Sequence, residues 1–251
     1  MAFLQRHLIL RVVAITMALA ASLPSLFAQN EDAVTFHTFC VNLDGYVGGI
    51  FYDYRGEKIA ITANNVGLSG PYQSPPGGLV SLYRELPPVA PETKPRRVPV
   101  AEARLGSGGP WLLILSSTRN AAAPEQPAIS ALAIDHSWEK HPVGMVRVFN
   151  FCPAVSAFQI VENAFELRPG EDQVVPFPNT ELAQLFVKVA VKKDGQWRLQ
   201  INRPQRIPPA DALVRLSWVL MEVPPDEDNP EPRYLIRNLL ENVPAPLSPR
   251  P

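Results

Sequence analysis

Twenty-eight prolines, against fourteen glycines, set the first limit on what this chain can build. Proline has no N–H and a fixed φ, so it stops helices and is kept out of central strands. The prolines gather in PYQSPPGG at 71–78, in ELPPVAPETKPRRVP at 85–99 and in the segment after Val223. Short runs rich in Val, Ile, Leu and Phe lie between them. The longest helix candidate, 178–191, reads better as a strand from Leu185 onward. Further strands are expected at 79–83, 111–116, 128–134, 145–151, 157–161, 173–177 and 212–222. About a dozen short strands separated by turn signals predict an all-β chain, an antiparallel β-sandwich or two related β units.

Hairpin registers can be worked out from alternation. Leu185, Val187, Val189 and Val191 share one face of a strand, and Trp197, Leu199 and Ile201 share one face of the next. A two-residue Asp194-Gly195 loop sets Val191 opposite Arg198 and mixes the faces. A three-residue Lys193-Asp194-Gly195 loop sets Val191 opposite Trp197, Val189 opposite Leu199 and Val187 opposite Ile201. The expectation is therefore the longer loop, with Gly195 left-handed in a G1 bulge. The same argument makes Tyr54-Arg55-Gly56 a loop, with Phe51 facing Ile59 and Asp53 facing Glu57.

An approximate duplication is visible. Phe39-Cys40 recurs as Phe151-Cys152, RGEKIAIT at 55–62 resembles PGEDQVVPF at 169–177, LVSLY at 79–83 resembles LFVKV at 185–189, and WLLIL at 111–115 resembles LVRLSWVL at 213–220. Spacings that drift from one match to the next fit either a repeat with deletions or coincidence between β-rich segments. A division, if there is one, falls near 121–127.

Residues 1–28 carry Arg6 and Arg11, a short apolar stretch from Val12 to Leu23, Pro24 and then Ala28. This is the layout of a secretory signal peptide, too short for a comfortable membrane span. Cleavage after Ala28 predicts a periplasmic or secreted product with no stable transmembrane insertion. Residues 29–222 then form the β-sandwich region, and 223–251 form a proline-rich tail. Removing Arg6 and Arg11 leaves 21 basic and 24 acidic residues, a formal charge of −3. That balance gives no support for nucleic-acid binding, which draws its affinity from a strongly basic face.

Cys40 and Cys152 are the only cysteines. In an exported chain they can form a disulfide, or remain as two buried thiols on apolar strands. The choice is tied to the architecture. Bridged Cα atoms lie within about 7 Å, which equivalent positions in tandem units would not satisfy. Neither cysteine sits in a C-x-x-C or beside a helix start, so reactive thiol chemistry is not indicated.

Catalytic patterns are sparse. Asp135, His136 and Ser137 are adjacent, so their side chains diverge along an extended backbone instead of forming a relay. Asp135, His136, Glu139 and His141 could supply part of a loop metal site, but a solvated loop is the preferred reading, and no cofactor is expected. Neither a G-x-S-x-G nor a glycine-rich phosphate loop is present, and no carboxylate pair stands out for glycoside hydrolysis.

Binding residues are easier to nominate. Trp138 is flanked by polar and charged residues and is the best exposed aromatic. Tyr52, Tyr54 and Tyr72 surround the first hairpin and could add a sugar platform or cap the core. In the tail, Tyr234, Leu235, Ile236, Leu239 and Leu240 form an apolar island, read as a short helix that docks on the chain's own body or on a partner. These features favour a noncatalytic binding or envelope-associated structural module with an envelope protein or glycan as partner. The alternatives are a carbohydrate-binding module and a hydrolase whose carboxylates come from distant loops.

The order F-x-x-F-C at 36–40, YDYRGEKIAI at 52–61, GLVSLYRE at 78–85, GMVRVFNFCP at 144–153 and LRPGEDQVVPF at 167–177 resembles that of a family of exported all-β bacterial proteins with no established activity. The resemblance implies export and a β fold, and carries no site residue.

Overall fold

In the computed structural model the described residues are 33–41, 46–88, 93–118, 128–176, 184–209 and 214–242. The leader at 1–28, the division near 121–127 and the chain end from 243 lie outside them. Sixteen strands follow in order: β1 (Thr35–Cys40), β2 (Tyr46–Tyr54), β3 (Glu57–Asn64), β4 (Ser69–Gln73), β5 (Leu79–Leu86), β6 (Arg96–Arg104), β7 (Trp111–Thr118) and β8 (Ala128–Asp135), then β9 (Met145–Asn150), β10 (Ser156–Ile160), β11 (Asn163–Leu167), β12 (Asp172–Pro176), β13 (Gln184–Lys193), β14 (Gln196–Arg206), β15 (Val214–Val223) and β16 (Arg233–Asn242). They make four sheets: I (β4-β1-β7-β8), II (β3-β2-β5-β6), III (β12-β9-β15-β16) and IV (β11-β10-β13-β14).

Adding eight to every strand number in sheets I and II gives sheets III and IV. Three of the sequence matches fall on strands that correspond in this way: Phe39-Cys40 and Phe151-Cys152 on or just past β1 and β9, LVSLY and LFVKV on β5 and β13, WLLIL and LVRLSWVL on β7 and β15. The match of RGEKIAIT with PGEDQVVPF does not, because it pairs β3 with β12. Each inner sheet also departs from the purely antiparallel expectation. β1 runs parallel to β7, and β9 parallel to β15.

Three apolar cores order the sheets as layers. Phe36, Ile50, Ile61, Leu82 and Leu113 fill the space between sheets I and II. Val146, Phe158, Val189, Trp218 and Ile236 fill that between III and IV. A third core, with Phe39, Leu112 and Ile114 of sheet I against Phe149, Val219 and Leu239 of sheet III, joins the two sandwiches back to back. The stack therefore runs II, I, III, IV, and alternation along β1 explains how one strand serves two cores. Phe36 and Cys40 point one way, Phe39 the other.

That alternation decides the cysteine question. Cys40 belongs to the core between sheets I and II, Cys152 to the one between III and IV, and no disulfide forms. Two sheets separate the thiols, and the bridge allowed by sequence is ruled out by geometry. Burial pushes the Cys152 thiol well above its usual range, which leaves it protonated and unreactive.

Prolines inside strands obey a simple rule. Pro71 is in β4, Pro99 in β6, Pro176 in β12 and Pro204 in β14, each an edge strand of a different sheet. An edge strand has one row of N–H groups without a ladder partner, so a missing donor costs nothing there. Equivalent edges of the two halves carry them, β4 with β12 and β6 with β14.

Both predicted hairpin registers are overturned. Lys193 pairs with Gln196 and Tyr54 with Glu57, so both loops have two residues. Arg55 and Gly56 lie at φ 52° and 81°, Asp194 and Gly195 at 52° and 76°, the two left-handed positions of a type I′ turn. The face mismatch that argued against this loop is absorbed further along. Val189 pairs with Ile201 but Ala190 with Leu199, so Gln200 is an extra residue that reverses the phase, as β-bulges do. Ile201 consequently enters the core, while Trp197 and Leu199 remain outside. Gly195→Val should still cost about 1–2 kcal/mol, because a β-branched side chain would be forced left-handed. A thermal melt equal to that of the parent would contradict the turn assignment.

Candidate functional site

Polar groups collect where β8 ends against sheet III. Two arginines of sheet III reach across the junction and donate to consecutive carbonyls. Arg147 Nη1 bonds Asp135 O and Arg215 Nη1 bonds His136 O, both at 2.6 Å. Arg147 also donates from Nε to Asp172 Oδ2 at 2.6 Å on the neighbouring strand β12. Arg215 is 1% exposed and turns its remaining donors on Glu241 of β16: Nε lies 3.0 Å from Oε2, and Nη2 bonds the same oxygen. His136, 2% exposed, completes the cluster through Nε2, 3.0 Å from that oxygen.

Carboxylate oxygens only accept, so His136 carries its proton on Nε2. His141 is constrained similarly, its Nε2 lying 3.3 Å from Met145 O. Its ring packs edge-on to His136 with centroids 5.2 Å apart. Burial lowers the pKa of both imidazoles. His136 is partly held up by Glu241, whereas His141, with His136 beside it, falls to about 3. Both are neutral at ordinary pH. Burial opposes ionisation of Glu241, but the bond from His136 and the Arg215 charge outweigh it and hold the carboxyl at about 2.

The ladders show why these groups meet. Phe36 pairs with Trp111 and Trp111 with Asp135 in sheet I; Val146 pairs with Leu216 and Leu216 with Leu240 in sheet III. Matching the first parallel pair of each half puts Asp135 and Leu240 on corresponding rungs. His136 and Glu241 are then the next residues of corresponding strands, in contact where the halves pack together.

Glu241 also faces an open cleft of about 660 Å³, lined among others by His37, Pro71, Gly109, Trp138 and Asn242. Trp138 is 40% exposed, with the Arg215 guanidinium 3.9 Å from its ring centre. This is the exposed aromatic expected from sequence. Burial lowers the His37 pKa against the pull of Glu241, so the imidazole is neutral. Among the described residues the cleft offers an aromatic surface, an amide, a neutral imidazole and one carboxylate ionised at ordinary pH, its charge balanced from behind.

No family model matches the chain, and no curated protein matches it.

The other nominated residues go elsewhere. Tyr52 is 1% exposed in the core between sheets I and II, and its hydroxyl donates to Gln73 O at 2.7 Å. Tyr72 packs against Phe36 at 5.4 Å, and Tyr54 lies under the Arg55 guanidinium at 5.2 Å. None of the three lines the cleft, so of the two readings open to these tyrosines the sugar platform does not assemble there. The apolar tail island is strand β16, not a helix. Alternation sends Leu235 and Leu239 toward the junction core and Tyr234 and Ile236 toward the other, with Leu240 exposed near the strand end. It docks on the chain's own body.

Sequence reasoning treated 135–141 as solvated, and His136, Ser137 and His141 are buried. It also missed Arg147, Arg215 and Glu241. A signal was available, since Arg147 in GMVRVFNF and Arg215 in LVRLSWVL are lone cations inside apolar runs, and a buried arginine requires a counter-charge. Among the described residues no group of three or more His, Cys, Asp or Glu side chains could hold a metal ion. Among the same residues, no helix is long and apolar enough to cross a membrane.

Proposed function

We propose that this chain is an exported, noncatalytic binding or structural module of the bacterial envelope, with its ligand contacts made by surface groups. The carrying observation is how the junction uses its charges. Arg215, His136 and Glu241 bond one another, and Arg147, held by Asp172, bonds the end of β8 beside them, so these groups fasten two sandwiches together. A general acid must hold a proton near working pH, and a carboxyl at about 2 does not. Among the described residues Glu241 is also the only carboxylate lining the cleft, whereas glycoside hydrolysis needs a pair. The signal-peptide layout of the sequence at 1–28 supports export.

A second reading, carbohydrate recognition at the cleft, is favoured by Trp138 beside Glu241 and Asn242. Stacking of a sugar on an indole with polar groups at its rim is a common mode of recognition. Immobilised full-length mature protein should retain envelope fractions without releasing reducing ends from isolated envelope glycan. Retention lost in Trp138→Ala would select the cleft reading. Reducing ends released by the parent and abolished by changing one carboxylate would replace both readings with a hydrolase.

A further inference from the structure

The outer faces of sheets II and IV stand at opposite ends of the stack in corresponding positions, and they are finished differently. On sheet II the central charges are matched, with only Arg104 among the described residues left over on the edge strand: Lys58 pairs with Glu85 at 2.8 Å and Arg97 with Asp53 at 2.6 Å. The same cations cover the aromatics, Lys58 at 4.7 Å from the Phe51 ring centre and Arg97 at 4.4 Å from that of Tyr83. Little on this face is left for a partner.

Sheet IV is open. Phe186, Trp197 and Leu199 stand on its outer face, 63%, 41% and 58% exposed. The register puts Lys188, Lys192 and Arg206 on that face too, with Arg198 and Arg203 along the β14 edge. From Gln184 to Arg206 the chain carries six basic residues and one acidic, within a protein of net charge −1. The acidic one, Asp194, comes within 3.9 Å of Arg198, and Lys192 lies 5.6 Å over Trp197. Among the described residues no carboxylate lies within ion-pairing distance of Lys188, Lys192 or Arg206. Glu166 of this face sits on β11, at the far edge of the sheet.

One exposed apolar side chain is ordinary; three on one flat face, interleaved with unmatched cations, ask for a partner that is anionic and apolar together. A soluble polyanion answers the cations but not Phe186 and Leu199, and an acidic protein would need an apolar patch of its own matched to this flat face. An anionic bilayer answers both, with headgroup phosphates for Lys and Arg and the acyl boundary for Trp, Leu and Phe. We propose that the outer face of sheet IV docks on an anionic phospholipid surface. The proposal deepens the envelope reading above and rests on it.

Co-sedimentation of the full-length mature protein with vesicles tests this. Binding is expected to phosphatidylglycerol/phosphatidylethanolamine vesicles and not to phosphatidylcholine, with weakening as salt is raised. Lys188→Glu with Lys192→Glu should reduce partitioning at least tenfold, and Leu199→Ser with Phe186→Ser should do so with melting preserved. Lys58→Gln, at the opposite end of the stack, should leave it unchanged. Absence of parent binding, equal binding to phosphatidylcholine, or binding indifferent to both double variants would overturn the proposal. So would capture by a soluble polyanion such as heparin without vesicle binding. Envelope retention that survives a negative vesicle result overturns the lipid assignment alone, whereas release of glycan ends overturns the reading beneath it.

Discussion

Glu241→Ala should destabilise the protein by about 3–5 kcal/mol, the usual cost of leaving a buried charge without its partner. Arg215 is 1% exposed and directs two of its nitrogens at Glu241 Oε2, so the substitution leaves a buried guanidinium without its counter-charge. His136 loses its acceptor at the same time. Denaturant titration should show a lower midpoint at an unchanged slope. Arg215→Met combined with Glu241→Leu should be less damaging than Glu241→Ala alone, since the double change removes the stranded charge. A single variant within about 1 kcal/mol of the parent would show that the cluster does not fasten the sandwiches.

The same cluster sets a direction for acid stability. Native His141 and His136 resist protonation, while the unfolded histidines take up protons below about 6.5. Their contribution is full above that pH and is lost on acidification below it, that of His141 as pH falls toward about 3. Glu241, at about 2 when folded against 4.5 when unfolded, contributes above 4.5 and loses its share between those values. Stability should therefore hold level from pH 6.5 up to the alkaline range where unfolded thiol and phenol groups ionise, and decline on acidification. In Glu241→Ala the decline below 4.5 should be shallower by the share of one proton. A parent whose stability rises on acidification through pH 6 would contradict neutral buried histidines.

Much of this fold is legible in the sequence because strands buried on one or both faces advertise themselves. β5, β7, β8, β9, β10, β12, β13 and β15 coincide with apolar runs. Of the four strands missed, β11 is short and largely exposed, and the other three carry signals that work against a strand assignment. β4 and β6 contain Pro71 and Pro99, which read as turn material until the strands are known to be edges. β16 spaces its leucines at 235, 239 and 240, a helical interval, yet it faces two different cores and so needs apolar residues on both sides. The hairpin loops were misjudged for a related reason. Burial of one coherent face was allowed to outweigh turn chemistry, and the Gln200 bulge satisfies both. Among site residues Trp138 was readable from its polar neighbours. Glu241 was not, because its meaning comes from Arg215 and His136, which only the packing of sheet I on sheet III brings to it.

Truncation after Val223 should abolish folding, which places the tail among the structural elements of the chain. β16 pairs with β15 along ten rungs, from Val214↔Asn242 to Val223↔Arg233. Removing it exposes the full edge of β15, a strand buried from Val214 to Met221. It also deletes Ile236 and Leu239, each worth about 1.5–3 kcal/mol of apolar burial. Glu241 goes with them, stranding Arg215 at the further cost already argued. These losses together approach or exceed the roughly 5–15 kcal/mol that separates a typical folded protein from its unfolded state. The expected result is an aggregated or protease-sensitive product with no cooperative melt. A second truncation, after Asn242, keeps β16 and separates loss of the strand from loss of the final nine residues. A cooperative melt in the shorter product close to that of full-length protein would mean that sheet III closes without its last strand, and that the junction holds without Leu239 and Glu241.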